Sequence, residues 1–184
     1  MLTGQGNHYM VDIVGTHRLS EFREPPHGRS FPGDELSRIQ QAIESVPDSA
    51  FLNSSSGKEV VTFDEVIAQN LPNYSTEGSE ACMLWAEDGF RHSVDLYHPK
   101  KRIAIELEKS EAKYVWRDFV KFGRGAHTTK AGRNTIEFGC LVVPEYYSNR
   151  PVFSGTRKML DFMEPMLDVT EVVVIGFRDP NSRS

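Results

Sequence analysis

The stretch DLYHPKKRIAIELEKS, residues 95–110, is the part of this chain that decides its fold. Its second half is an apolar run that contains Glu106 and Glu108, and side chains two positions apart on a strand share a face. The turn at 98–101 folds this strand back on the one that carries Asp95, so we predict a hairpin on which three carboxylates converge. Acids are rare inside strands, and buried acids are seldom left unpaired. A hard cation bound by carboxylate oxygens would resolve that conflict.

The same two glutamates have a simpler interpretation. An antiparallel strand with one wet face carries polar residues at alternate positions, and Glu106 and Glu108 alone fit that pattern at least as well. The order of elements and charges around them favours a functional site.

The bulk properties of the chain exclude several classes of protein. It has 184 residues, enough for one domain with a real core, and no apolar run long enough to span a membrane. No signal-peptide pattern is present at the N-terminus. Cys82 and Cys140 form no disulfide framework, and the six histidines show no zinc-site spacing. We therefore expect a cytoplasmic protein without disulfides.

The charge distribution points to a polyanionic partner despite the net charge of −5. Residues 1–90 hold five Lys and Arg against fourteen Asp and Glu. Residues 91–135 hold eleven against five, and residues 136–184 hold five against seven. A basic surface on an acidic body is compatible with nucleic-acid binding at one face.

The first 75 residues predict a helical and irregular N-terminal part. A short strand at 9–14 precedes a helix at 34–46 whose apolar residues lie on one face. A polar loop at 53–57 is followed by a possible short strand at 60–61. A capping-box pattern predicts a helix at 62–70.

The elements from residue 76 onward predict a mixed sheet between helices. We expect helices at 76–88, 111–124 and 154–166, a hairpin of strands 91–97 and 102–109, and strands at 135–143 and 170–177. The last two strands are apolar throughout, as in strands buried on both faces. The fold class is α/β, with a central mixed β-sheet sandwiched by helices.

The helix after the acidic strand carries a basic stripe. Its cations recur at helical spacing, and a glycine-containing loop at 123–134 adds two more. These residues are Lys113, Arg117, Lys121, Arg124, Lys130 and Arg133. Lys and Arg on a helix often only solvate its outer face. Their position next to the acids favours phosphate neutralisation beside a metal that activates water, which is what phosphodiester cleavage needs.

The order of elements, together with Asp95…Glu106-x-Glu108, resembles the PD-(D/E)xK nuclease superfamily. Within it, type II restriction endonucleases of the Bgl, BstY and Bam kind are similar to three segments: RIAIELEKSEAKYVWRDFVKF at 102–122, TIEFGCLVVP at 135–144 and VVVIGF at 172–177. The resemblance covers roughly residues 76–178. It implies a restriction-endonuclease-like core, with 76–178 as the catalytic part of a single nuclease domain at 1–184.

Two positions depart from the superfamily pattern. Val94 stands before Asp95 where the pattern has Pro, and Glu108 stands where it usually has Lys. Bgl-type enzymes have Gln at the latter position and the Bam type has Glu. A literal E-x-K occurs at 111–113, but Ser110 is a good N-cap and would place that triplet in the first helical turn.

The resemblance implies roles for the acids. Asp95 and Glu106 would bind Mg²⁺ with a backbone carbonyl near Leu107, and Glu108 would orient or deprotonate a water. Lys109 points to the other face of the strand and is a poor candidate.

A fourth acid, Glu77 or Glu80, could complete the site from the helix at 76–88, and Glu77 is preferred. Either could equally be a solvated acid at a helix start, which the helix dipole favours.

These features predict a Mg²⁺-dependent type II restriction endonuclease. The resemblance implies a homodimer that cuts double-stranded DNA at a palindromic site. Lys121 matches the helix lysine of the family and is expected near the scissile phosphate, whereas Arg124, Lys130 and Arg133 are expected to read bases. The alternatives are a repair or phage nuclease without sequence preference, and a DNA-binding module that has lost catalysis. Retention of all three acids argues against the last.

Overall fold

The computed structural model describes residues 10–47, 50, 58–109, 112–127 and 135–178, and side chains are described throughout these ranges except at 58–62. The strands and helices are, in chain order, β1 (Asp12–Arg18), α1 (Gly33–Glu44), α2 (Lys58–Asn70), β2 (Ser75–Thr76), β3 (Met83–Glu87), β4 (Phe90–Ser93), β5 (Leu96–His98), β6 (Ile103–Leu107), α3 (Val115–Ala126), β7 (Phe138–Pro144), β8 (Tyr146–Tyr147), β9 (Arg150–Pro151), α4 (Phe153–Met163) and β10 (Glu171–Arg178). Short 3-10 helices occur at Leu19–Glu21, Pro26–Gly28, Glu80–Cys82, Ala112–Tyr114 and Glu164–Met166.

A six-stranded mixed sheet organises the fold, with strand order β1-β10-β7-β6-β5-β2. The central strands β10, β7 and β6 are parallel, whereas β1, β5 and β2 pair antiparallel at the two sides. The central strands are buried at almost every position, as expected for strands covered on both faces. The predicted α/β class with a mixed sheet between helices is confirmed.

Successive residues of β6 enter two different layers. Ile103, Ile105 and Leu107 belong to the apolar core beneath α1 and α2, whereas Ala104 belongs to the core beneath α3 and α4. This alternation follows from the two-residue period of a strand. Glu106 therefore faces the α3 layer.

A glycine sets the height of α3 above the sheet. The ring of Phe122, which is fully buried, lies directly over Gly139 of β7. A Cβ atom at Gly139 would come within 2.7 Å of Phe122 Cδ2, so the absence of a side chain permits this close approach. α3 is thereby held low over β6 and β7.

Two predicted elements are wrong. Residues 60–61 lie inside α2, which begins at Lys58 and not at 62. Residues 76–88 form no helix: they contain the end of β2, a 3-10 helix and β3. Apolar residues there recur at helical spacing, but Asp88-Gly89 is a hairpin turn, with Gly89 at φ +77°. Residues 91–93, predicted to belong to the hairpin with residues 102–109, instead form most of β4 and pair with β3.

The remaining described elements agree with the sequence predictions, with shifted ends. The predicted first strand lies at Asp12–Arg18, and β5 and β6 form the predicted hairpin. The helix predicted from 111 begins at Val115 after a 3-10 turn and extends to Ala126, into the predicted loop. Ser110 and Glu111 lie outside the described residues. Within the described ranges, every helix is too short or too polar to cross a membrane.

Candidate active site

Asp95 and Glu106 are brought together by the β5–β6 hairpin. Leu96 pairs with Ile105, which places Asp95, the residue before β5, across from Glu106. The Asp95 carboxylate accepts a hydrogen bond from the backbone N–H of Leu107 at 2.6 Å. One of its oxygens is thus fixed on the strand that carries Glu106.

Glu106 is a buried carboxylate whose hydrogen bonding is incomplete. Its side chain is 3% exposed, and its Oε2 accepts a hydrogen bond from Lys121 Nζ at 2.6 Å. Glu106 Oε1 is buried and accepts no hydrogen bond from any described residue. Burial, and next the charge of Asp95, raise the pKa of Glu106 well above its ordinary value, although Lys121 opposes the shift.

Asp118 is the second buried acid of this layer. It lies one helical turn before Lys121 on α3, with its Oδ1 3.5 Å from Lys121 Nζ. Burial raises the pKa of Asp118 to about 6, and the charges of Glu108 and Asp95 act in the same direction. Lys121 is itself largely buried. Burial lowers its pKa, but the charges of Glu106 and Asp118 outweigh that effect and the pKa is raised, so the ammonium stays charged.

Glu108 lies just after β6 on the same side as Glu106. Its backbone N–H donates to Val142 O at 3.0 Å, which continues the ladder between β6 and β7. Its side chain is 8% exposed, with its Oε2 4.0 Å from Arg117 Nη2. Arg117 is mostly exposed, so water weakens this ion pair.

Lys109 has an ion-pair partner that the sequence reasoning missed. It points to the α2 side, as predicted, and its Nζ lies 2.6 Å from both carboxylate oxygens of Asp64. Burial raises the pKa of Asp64 to about 6, and the charges of Asp95 and Glu77 act in the same direction. Asp64 is therefore a further acid close to Asp95. The contact joins residues 45 positions apart, and no local pattern indicates it.

Neither candidate for the fourth acid lies at the start of a regular α-helix. Glu77 is in the turn after β2, where its Oε1 accepts a hydrogen bond from Ser93 Oγ at 3.3 Å. Glu80 begins a short 3-10 helix. The interpretation of both as helix-start acids is wrong, because residues 76–88 do not form that helix. Glu77 remains close enough to Asp64 to influence its titration.

The donor set fits one small, hard cation. In the part of the chain that the structure describes, no three His, Cys, Asp or Glu side chains form a ready-made metal site. Mg²⁺ commonly takes only one or two protein carboxylates and completes its octahedron with water and substrate phosphate. Asp95 and Glu106 satisfy that requirement. The unpartnered Glu106 Oε1 is an acceptor that a cation would satisfy.

The predicted basic stripe divides into two parts. Arg117 and Arg124 are exposed on α3 and Lys113 is exposed in the 3-10 turn before it, whereas Lys121 turns inward to Glu106 and Asp118. The Arg124 guanidinium lies over the ring of Trp85, 4.6 Å from its centroid. The predicted residues Lys130 and Arg133 lie outside the described residues.

Comparison with known proteins identifies the family. Searches among curated proteins and among solved structures found no match. A family model described as "Putative halobacteria restriction endonuclease" matches residues 14–177. The match includes the whole six-stranded sheet except the first two residues of β1 and the last residue of β10. The chain belongs to this restriction endonuclease family.

Proposed function

We propose that this protein is a Mg²⁺-dependent type II restriction endonuclease, which hydrolyses phosphodiester bonds of double-stranded DNA at a short palindromic site. The family supports DNA cleavage in general. The observation that carries the proposal is the environment of Glu106, a buried carboxylate that lies across the hairpin from Asp95. One of its oxygens accepts a hydrogen bond from Lys121, and the other has no donor among the described residues. In this proposal residues 1–184 are one nuclease domain, with 76–178 as its catalytic core.

Asp95 and Glu106 are the proposed Mg²⁺ ligands, with the carbonyl of Leu107 beside them. The hydrogen bond from Leu107 N–H to Asp95 holds the two acidic positions in one fixed geometry. Bound there, the cation would lower the pKa of a coordinated water and stabilise negative charge on the phosphate. A carboxyl group binds a metal only in its ionised form, so the raised pKa of Glu106 would make metal binding at this position weaken as the pH falls.

Lys121 is the proposed contact to the scissile phosphate. Glu108 occupies the strand position where the superfamily pattern has Lys, so β6 offers no cation there. Lys121 brings an ammonium to the neighbouring Glu106 from α3 instead. Its two acidic partners keep it charged and aimed at the acids.

Glu108 is the proposed group that orients or deprotonates the attacking water. It lies on the same side as Glu106, is almost buried, and directly follows β6. A Glu at this position is also the feature that the Bam type shares. On that basis we propose the Bgl, BstY and Bam kind as the nearest relatives in mechanism.

A homodimer is part of the proposal, since two-fold protein symmetry matches a palindromic site. Exposed apolar side chains at the end of α4 and in the 3-10 helix that follows it favour a partner on this face; they are Phe162 and Met166. Phe162 also contacts Trp116 of α3 edge to face. Sedimentation velocity with and without DNA would test this, and a monomer under both conditions would contradict it.

The decisive experiment is incubation of the purified protein with phage DNA and Mg²⁺, with an EDTA control and the Asp95→Asn variant alongside. Discrete bands that need both the cation and Asp95 are the expected result. A smear would indicate a nuclease without sequence preference. Binding without cleavage would indicate a module that has lost catalysis.

A further inference from the structure

The β3–β4 hairpin is a separate ribbon outside the main sheet. Among the strands that the structure describes, its two strands pair with each other and with no other strand, and a turn at Asp88-Gly89 joins them. All residues from 87 to 91 are exposed, and the Phe90 ring lies edge to face against His92. The tip thus presents an aromatic ring and Arg91 to solvent.

The base of this ribbon is firmly packed. Leu84 is buried in the core beneath α3, and Val94 N–H donates to Cys82 O at 3.0 Å to close the ribbon. Leu84 lies so close to Gly125 of α3 that a Cβ there would be 3.2 Å from Leu84 Cδ2. A rigid base with an exposed tip suits an element that enters another molecule.

Trp85 of the ribbon also fixes the last cation of α3. The guanidinium carbon of Arg124 lies over its ring, 4.6 Å from the centroid, and this cation–π contact holds the arginine beside the ribbon. Arginine can donate two parallel hydrogen bonds to guanine O6 and N7, the commonest base-specific contact in the major groove.

The ribbon leads directly into the candidate active site. β4 ends at Ser93, two residues before Asp95, and the Ser93 hydroxyl donates to Glu77. Phe90 is five residues before Asp95, so the tip lies at most about 17 Å from it at roughly 3.4 Å per residue. Five base-pair steps of DNA cover a similar length.

The charges at the tip of the ribbon favour contact with base edges over contact with phosphates. Glu87 and Asp88 flank the turn next to Phe90 and Arg91. Phosphates repel carboxylates, whereas carboxylates accept hydrogen bonds from cytosine N4, arginines donate to guanine, and apolar groups contact the thymine methyl. A two-stranded ribbon also fits the major groove.

From these observations we infer that the β3–β4 ribbon, together with Arg124, is the sequence-reading element, and that it enters the major groove within about five base pairs of the scissile bond. The inference rests on the proposed function and names the surface that would give it specificity.

The test compares Arg91→Ala, Phe90→Ala and Arg124→Ala with wild type on a pool of randomised duplexes. Arg38→Ala, which removes an exposed arginine from α1 in the layer opposite α3, is the matched control. Each ribbon variant should relax the preference at one position of the site by roughly 5- to 150-fold, while binding to random duplex stays within about twofold. The control should leave the profile unchanged. Phe90 and Arg91 are exposed, so their variants should melt as wild type does.

The outcomes separate this inference from the proposed function. Discrete cleavage with an unchanged preference in all three variants would overturn the inference alone. An equal loss of binding to all sequences would make the ribbon a backbone contact and would also overturn it. Cleavage without any sequence preference in the wild type would overturn sequence reading but leave the nuclease. A wild type that neither binds nor cuts DNA would overturn both.

Discussion

Lys121 Nζ lies 2.6 Å from Glu106 Oε2, and this contact joins α3 to the strand that carries the acids. The lysine comes from a helix and lies 15 residues further along the chain than Glu106. Because Glu106 is almost fully buried, its negative charge needs this ammonium close by. The pair therefore links the electrostatics of the site to the packing of α3.

Loss of either proposed metal ligand should abolish cleavage and spare DNA binding. Asp95→Asn keeps an oxygen for the Leu107 N–H, and Glu106→Gln keeps the volume of the buried side chain. We expect at least a ~100-fold fall in cleavage rate, the scale at which one preorganised electrostatic contact acts. Plasmid cleavage and gel-shift titrations measure the two effects. Wild-type rates in either variant would remove that residue from the site.

Substitution of Glu108 separates a role in water activation from a role on the strand surface. Glu108→Ala should lower the cleavage rate about 10²- to 10⁴-fold at unchanged DNA affinity if the carboxylate acts as a general base. Glu108→Lys introduces the residue that the PD-(D/E)xK pattern, which this chain resembles, has at this position, and it should recover part of the rate. Single-turnover kinetics provide the measurement. Normal cleavage by the Ala variant would show that Glu108 is only a strand-surface acid.

Removal of the Lys121 charge should shift the pH dependence of cleavage. The positive charge of Lys121 lowers the pKa of Glu106, so Lys121→Ala should raise that pKa further. Because a metal ligand must be ionised, the acid limb of the rate profile should move to higher pH. Lys121→Arg, which keeps the charge, should leave the limb near its wild-type position. A lower rate with no change of profile would restrict Lys121 to phosphate contact.

Asp118→Asn should stabilise the protein near neutral pH. In the folded state the pKa of Asp118 is raised from 3.8 to about 6, so the native state binds a proton more tightly than the unfolded chain does. The stability that this carboxyl provides is complete below pH 4 and is lost as the pH rises through about 6. The variant should gain up to roughly 3 kcal/mol over wild type at pH 7.5 and almost nothing below pH 4. Urea unfolding at both pH values tests this, and a variant less stable than wild type at pH 7.5 would refute it.

The exposed cations Lys113 and Arg117, in the 3-10 turn before α3 and at its start, should contribute to DNA affinity without regard to sequence. Arg117→Ala and Lys113→Ala should each weaken binding to specific and random duplexes alike. Each lost phosphate contact should reduce the slope of log affinity against log salt by about one unit. Fluorescence anisotropy at several salt concentrations measures the slope. If both variants match wild type at every concentration, the phosphate-binding face lies elsewhere.

The parts of the fold that the sequence predicts correctly are those with a local periodic signal. The alternation of IAIELE predicts β6 and a shared face for Glu106 and Glu108, and the uniformly apolar runs predict β7 and β10. The apolar spacing of residues 76–88 predicts a helix, whereas the Asp88-Gly89 turn signal decides the structure.

Tertiary contacts could not be predicted in the same way. The Asp64–Lys109 ion pair depends on how α2 packs on the sheet, and the inward position of Lys121 depends on how α3 does. Sequence spacing placed Lys121 on the same stripe as the exposed cations, because helical periodicity gives a direction but not the depth of burial.

Gly139, which is not part of the site, sets the distance between α3 and the sheet. Because Gly139 has no side chain, the Phe122 ring packs directly against the backbone of β7. Lys121 precedes Phe122 on α3, so the same packing distance determines how its ammonium group meets Glu106. A single methyl group there would act as a spacer and lift the helix by a fraction of an ångström. The strength of a hydrogen bond between charged groups depends on such displacements. The distance between the helix layer and the sheet therefore affects the proposed reaction through the Lys121–Glu106 contact, just as the identity of the acids does.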